Sequence, residues 1–345
     1  MQNEAISNSI IIGVDIAKDT FEVAFISASD KSASDGSVLK RSSYTNSRAG
    51  HRAFIEAAGA DQETHHGEVH VVMEATGNYH LRLSKALARA GLRQSIINPL
   101  QVKRFAQMKL RRVKTDKSDA VLLAQYGREQ EPGEDAPPSV AQAKIKQIAT
   151  LIDHLTKQRT ALKNQQHASD QLPDGATVCE EVLGEQLAGL DKNINKLKKE
   201  QERLASEQFT HVKQLAESVK GVGPRTACAL IGYAGDLRGF SSHKQLAAFM
   251  GLNPVVRESG TWKGRSTISK QGHARLRTLF FMGAQSARLH NRACRALYER
   301  IRAKGKAKKV ALIAVANKLV KQVFAVIKNQ TMFDNTRYQN KSLAA

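Results

Sequence analysis

The chain has 345 residues, with 53 Lys and Arg against 32 Asp and Glu, a formal charge of +21 and a pI near 10.0. That length accommodates two domains with separate cores, and that charge calls for a polyanionic partner, either nucleic acid or an anionic membrane surface. The absence of an apolar run of about 18 residues and of a basic signal-peptide start argues against the membrane, while the scattered Cys179, Cys228 and Cys294 exclude a disulfide framework and a zinc pattern and fit a reducing cytoplasm.

In chain order, Ile10 to Val14 is an apolar run ended by Asp15, residues 17–20 form a tight turn, and Phe21 to Ile26 return as a second strand. A Ser-rich loop covers 27–40, residues 42–45 read as a further strand, and 49–58 as a helix. Val69 to Met73 is a buried strand ended by Glu74. A turn over 75–78 then leads to an amphipathic helix over 79–90 and a short strand over 94–97. Residues 120–126 continue a helix that carries Asp119. Strand pairs followed by alternating strands and helices imply an α/β domain over residues 8–130. His65, His66 and His70 crowd one stretch, but no Cys or second His pair completes a metal pattern, so they read as loop and strand-edge residues.

Four carboxylates stand out. Asp15 and Glu74 end the two apolar runs, and Asp116 and Asp119 are three apart in Lys-Thr-Asp-Lys-Ser-Asp-Ala, a spacing that shares one helical face. Two full charges about 4 Å apart repel by roughly 4 kcal/mol at an effective dielectric near 20. Divalent cations remove that repulsion, and paired Mg²⁺ or Mn²⁺ ions are a recurrent device for phosphodiester chemistry. Each acid alone suits an ordinary solvated position; their joint placement marks them as catalytic and metal-binding candidates. Lys103, Arg104, Lys109, Arg111, Arg112 and Lys114 lead directly into Asp116. Basic residues there suit a site that must hold phosphate backbone against carboxylates.

Residues 129–138, with three prolines and four acids, read as a linker. Beyond it, Ile145, Ile148, Ile152 and Leu155, and later Leu187, Leu190, Ile194 and Leu197, step by three and four, which predicts a helical, coiled-coil-like region over 138–210 broken at Leu172-Pro173-Asp174-Gly175. A C-terminal domain follows over 211–330, with a flexible tail at 331–345. Within it, Gly221-Val222-Gly223-Pro224 separates two helical stretches as a helix–hairpin–helix, whose glycines and following helix N-terminus suit a phosphate; an ordinary αα turn is the alternative. Between Arg257 and Lys328 there are 18 Lys and Arg against Glu258 and Glu299. Lys263, Arg265, Lys270, Arg275 and Arg277 are the nucleic-acid contacts expected there. Trp262 either stacks on an unpaired base or anchors its loop.

With these residues in hand, the chain resembles the DEDD-type insertion-sequence transposases, the family that also contains the Piv DNA invertases. The resemblance runs from Ile11 to Lys328. It rests on the segments around Gly13-Val14-Asp15, Met73-Glu74-Ala75, Asp116-Lys117-Ser118-Asp119, Gly221-Val222-Gly223-Pro224, Gly251-Leu252-Asn253-Pro254 and Ser259-Gly260. It implies a RuvC-like, RNase H-type first domain that binds Mg²⁺ through Asp15, Glu74, Asp116 and Asp119, and a mostly α-helical transposase domain with Ser259 as nucleophile. Ser266 and Ser269 stand close by as competitors. It further implies action on double-stranded donor and target DNA, a structured bridge RNA as guide in some members, and sites shared between protomers of a dimer or tetramer. Two other readings remain: a resolvase-like nuclease using metal-activated water, and a non-catalytic nucleic-acid-binding protein.

Overall fold

The computed structural model describes residues 9–28, 38–65, 68–75, 77–110, 115–172, 177–255, 258–259, 262–264 and 267–336. The chain divides into two compact units, Met1–Pro137 and Pro138–Ala345.

The first unit is built on a five-stranded sheet ordered β3-β2-β1-β4-β5. Its strands are β1 (Ile10–Ile16), β2 (Thr20–Ser27), β3 (Val38–Thr45), β4 (Val69–Glu74) and β5 (Arg93–Ile97). The first three pair antiparallel, and β4 and β5 run parallel to β1. Alternation along each strand divides the side chains between two faces. On one face Ile10, Ile12, Val14 and Phe21 pack with Phe54 of α1 (Arg48–His65) and with Leu83 and Leu87 of α2 (His80–Arg89). On the other, Ile11, Ile26 and Val72 meet Val102 and Phe105 of α3 (Pro99–Met108) and Leu122, Leu123 and Tyr126 of α4 (Asp116–Gln130). The result is an α/β/α sandwich. Strand β3 begins at Val38, earlier than expected, because its polar residues Lys40 to Ser43 sit on a sheet edge where backbone pairing with β2, not burial, defines the strand.

Among the described residues, the regular structure of the second unit is helical apart from four two-residue strands. Helices α5 (Val140–Ser169) and α6 (Thr177–Gln208) pack antiparallel, pinned by Arg159 on Asp191 at 2.7 Å and by Gln201, which donates to the Ile145 carbonyl at 3.3 Å. Ile145, Ile152, Leu187 and Ile194 of the expected seams are buried. The base of α5 is also embedded in the unit: Ile145 packs with Cys228 and Ile231 of α8 (Pro224–Ala234) as well as with Ala205 of α6.

Helices α7 (Thr210–Ser218), α9 (His243–Phe249), α10 (Ala274–His290) and α11 (Arg292–Ala303) surround α12 (Lys308–Asn329). Among the described residues α12 is the one helix long and apolar enough to cross a membrane. Here Leu312, Val315, Leu319, Val320 and Val323 bury it in the core instead.

Between α9 and α10 lie two nested hairpins. Strand β6 (Pro254–Val255) pairs with β9 (Thr267–Ile268), and within that loop β7 (Glu258–Ser259) pairs with β8 (Trp262–Lys263).

Candidate active site and nucleic-acid interface

The sheet register sets the acidic positions. Val14 lies beside Met73 in the parallel β1–β4 pair, so Asp15 and Glu74 are the next residues on neighbouring strands. Ile11 and Val72, which share their side of the pleat, pack against the α3–α4 layer, so Asp15 and Glu74 project to that layer too. Gly13 brings α4 down onto β1: a Cβ there would stand 2.0 Å from the Ala120 carbonyl oxygen and 2.3 Å from the Ala124 nitrogen. Further along α4, a Cβ on Gly127 would meet Val72 and Ile11. Helix α4 therefore runs opposite to β1 and β4, and its N-terminus reaches the strand ends that carry Asp15 and Glu74.

That N-terminus is fixed by a capping box. Thr115 Oγ1 accepts from the Ser118 backbone N–H at 3.2 Å, and Ser118 Oγ accepts from the Thr115 N–H at 2.9 Å. Asp116 and Asp119 fall in the first turn, where the helix dipole favours carboxylates by about 0.3–1 kcal/mol each. The four positions thus share one end of one face, with Asp116 exposed and Asp15, Glu74 and Asp119 half-buried. Among the described residues, no three His, Cys, Asp or Glu side chains are drawn together closely enough to hold a metal ion. The donor set, all carboxylate oxygen, is of the kind that hard divalent cations take.

Glu22 adds a carboxylate that the sequence reading missed. It is the direct antiparallel partner of Asp15, and side chains opposite each other in such a pair share a face and repel when alike in charge. The available signal was symmetry about the tight turn at 17–20, which places residues 15 and 22 opposite one another.

The basic residues fall into three groups. Lys103 and Arg104 are exposed on α3, in the same helical layer as α4. Arg111, Arg112, Lys114, Arg265 and Ser266 lie outside the described residues, and Lys263 is placed only as part of β8. Arg275 and Arg277, expected on nucleic acid, have internal partners. Arg275 Nε is 2.7 Å from Asp153 of α5. Arg277 donates to the carbonyls of Met250 at 2.9 Å and Lys270 at 3.3 Å, locking the turn before β6 to the segment after β9.

A further basic groove of about 800 Å³ lies between α1 and α2. Arg48, Arg52, Arg82, Lys85 and Arg89 line it, with Glu56 the one acid among its described lining residues. Their three- and four-residue spacing on two helices was a legible signal that the sequence reading passed over.

The two glycines at the turn between α7 and α8 differ in what surrounds them. Gly221, at φ +111°, is backed against α10, where a Cβ would meet Ala287 Cβ at 2.7 Å and the Gly283 carbonyl at 3.0 Å. Close helix packing therefore accounts for the glycine at 221. Gly223, the N-cap of α8, has open space around it and no side-chain cap.

Ser259 is exposed and pairs with Trp262 across the inner hairpin. Its neighbour in sequence Ser269 is half-buried and donates to Asn253 Oδ1 at 2.6 Å.

A transposase family profile of the DEDD, IS110 type matches residues 12–169, and the profile described as "Transposase IS116/IS110/IS902 family" matches residues 213–299. The chain belongs to this transposase family. Among its relatives, the "Pilin gene-inverting protein" of Moraxella bovis is 29% identical over 329 residues, spanning 94% of this chain and 97% of that protein. The "Transposase for insertion sequence element IS1111A" of Coxiella burnetii is 26% identical over 358 aligned positions, spanning 94% and 91%. The transposase is thus a DNA recombinase enzyme of a metal-dependent type, and its first profile match begins three residues before Asp15 and covers all four acidic positions. The second covers Gly221, Gly223, the nested hairpins and α10.

Proposed function

We propose that this transposase cuts and rejoins double-stranded DNA by transferring a phosphoryl group to Ser259, using Mg²⁺ held by Asp15, Glu74, Asp116 and Asp119. The observation that carries the reading is the placement of Asp15 and Glu74 at neighbouring strand ends, toward the capped first turn of α4 that holds Asp116 and Asp119. That architecture supports a RuvC-like, RNase H-type assignment for the first unit. Mg²⁺ bound there supplies charge compensation for a phosphate approaching the carboxylates. Lys103 and Arg104, on the same layer, attract the backbone. At the N-terminus of α8 Pro224 has no N–H, and those of Thr226 and Ala227 are taken by the Gly223 carbonyl, so this turn offers the Arg225 N–H to a phosphate in helix–hairpin–helix fashion.

Ser259 Oγ loses its proton and attacks phosphorus, the P–O bond to one DNA strand breaks, and that strand leaves as a hydroxyl. The phosphoserine ester conserves the bond, so a hydroxyl from the exchanging strand reverses the step and restores the serine. Exposure of Ser259 and engagement of Ser269 favour the former as nucleophile. The acids and the serine belong to different units. This accords with a homo-oligomer in which each active site joins two protomers; a bridge RNA selecting donor and target rests on the family resemblance alone.

The test is a reaction quenched midway with denaturant. Wild-type protein carries covalently attached DNA, whereas Ser259→Ala loses both adduct and recombination yet still binds DNA. Free DNA ends without adduct in the active wild type would transfer the chemistry to water and make the enzyme a resolvase-like nuclease.

A further inference from the structure

A groove of about 1210 Å³ runs between α11, α12 and the β6–β9 ladder. Apolar Leu252, Ile268, Leu297 and Ile313 line it, together with basic Lys270, Arg300, Lys309, Lys318 and Lys321. Among the described residues no Asp or Glu lines it. Val310, which also lines it, is 52% exposed, so apolar surface is left open among positive charges. Lys270 is held at φ +55°, a left-handed conformation uncommon outside glycine, by its N–H on the Gly251 carbonyl and its own carbonyl on Arg277. Ala307, which also lines the groove, is the N-cap of α12 and offers no side chain to the first-turn N–H groups.

Duplex DNA cannot satisfy both parts of this surface, because its exterior presents phosphate and its base planes are stacked inside. An unpaired nucleotide presents both, a flat apolar base and a charged phosphate. Another protein surface would have to be strongly acidic and apolar together, and this chain, at +21, is a poor partner for itself. We infer that the groove binds an unpaired stretch of nucleic acid, with bases on its apolar lining residues and phosphates on its basic ones. The inference rests on the proposed DNA recombination, in which exchanging strands must be unpaired near the reacting phosphate. Chain connectivity keeps the two places close: Ser259 follows Pro254 in the groove wall by five positions, a span of roughly 18 Å at most. The groove therefore delivers a strand to the serine hairpin.

The full-length chain is titrated, by fluorescence anisotropy, with a single-stranded DNA oligomer, an RNA oligomer of the same sequence, and a blunt DNA duplex. Two surface variants are compared with wild type, Lys309→Ala with Lys321→Ala, and Val310→Asp. Both should weaken single-strand binding about tenfold or more and leave duplex binding within about twofold. The lysine variant should also shallow the single-strand salt slope by about 1.4, two contacts at about 0.7 each. The oligomer with the larger loss identifies the strand, DNA or RNA. Unchanged single-strand affinity, an equal loss on duplex, or a changed sedimentation coefficient with single-strand binding intact would overturn the groove assignment. Wild type that binds duplex but no single strand overturns the groove and leaves the recombinase reading standing; wild type that binds neither sinks both.

Discussion

Arg275 Nε rests 2.7 Å from Asp153 Oδ1, joining the first turn of α10 to the middle of α5. The side chains are only 24% and 17% exposed. Burial raises the Asp153 carboxyl above its usual range, and the charges of Arg275 and Arg225 pull it back. Removing one partner leaves a half-buried charge uncompensated. Arg275→Ala should therefore cost about 2 kcal/mol in urea unfolding while leaving the salt slope of duplex binding unchanged. A fall of about 0.9 in that slope would instead assign Arg275 to a phosphate. Lys103→Ala with Arg104→Ala should behave oppositely, with stability kept and the slope reduced by up to about 1.8.

Asp15→Asn and Glu74→Gln should each lower strand cleavage by roughly a thousandfold or more and leave duplex binding intact. Each also removes a like charge from a crowded face, so melting temperature without metal should hold or rise. Added Mg²⁺ should raise the melting temperature of wild type and not of either variant. Undiminished cleavage by both variants would remove these residues from the reaction.

Gly13→Ala tests the helix seating. The added methyl must displace backbone atoms of α4, since no flexible side-chain end stands in its way. A loss of about 1–3 kcal/mol is expected in chemical denaturation. Cleavage should fall more than DNA binding, because Asp116 and Asp119 ride on the displaced helix.

Acid should destabilise both units over a defined window. His70 and His273 are each pushed down to about 4 from 6.5, chiefly by burial, with Arg93 adding to the first and Lys146 and Arg277 to the second. His273 Nδ1 caps α10 by accepting the Leu276 N–H at 3.4 Å, which a protonated nitrogen cannot do. Above pH 6.5 both folded and unfolded chains keep these rings neutral. Between 6.5 and about 4 the unfolded chain takes the protons first, so stability falls with pH. His273→Asn, which keeps a capping oxygen and cannot titrate, should flatten the pH dependence of the melting temperature of the second unit across that window.

Local pattern carried much of the first unit into view. The apolar runs at β1 and β4 and the Asp116–Asp119 spacing are short-range features; the strand register then set Asp15 and Glu74 on neighbouring strands, and the helix put Asp116 and Asp119 in its first turn. Glu22 was missed because its relation to Asp15 is a cross-strand pairing, visible only once the turn between β1 and β2 is counted. The internal partners of Arg275 and Arg277 were not legible, because charge density says nothing of an ion pair with Asp153, more than a hundred residues away, or of the Met250 and Lys270 carbonyls across the nested hairpins. Gly221 shows the same limit. Its glycine serves contact with Gly283, some sixty residues on, and a turn motif cannot distinguish that from an approach by phosphate. The nested strands at 254–268 are too short to produce alternation, so only their glycines and charges were legible.

The central place of α12 sets an order of events during synthesis. The core of the second unit closes around Leu312, Val315, Leu319 and Val323, so that unit stays open until the ribosome has released Asn329. The first unit ends at Pro137, and at about 5–20 residues per second the interval between the two is on the order of 10–40 s. A nascent chain thus displays the folded carboxylate-bearing unit well before the serine-bearing one exists as a structure. On the proposed serine chemistry, cutting competence waits for the emergence of α12.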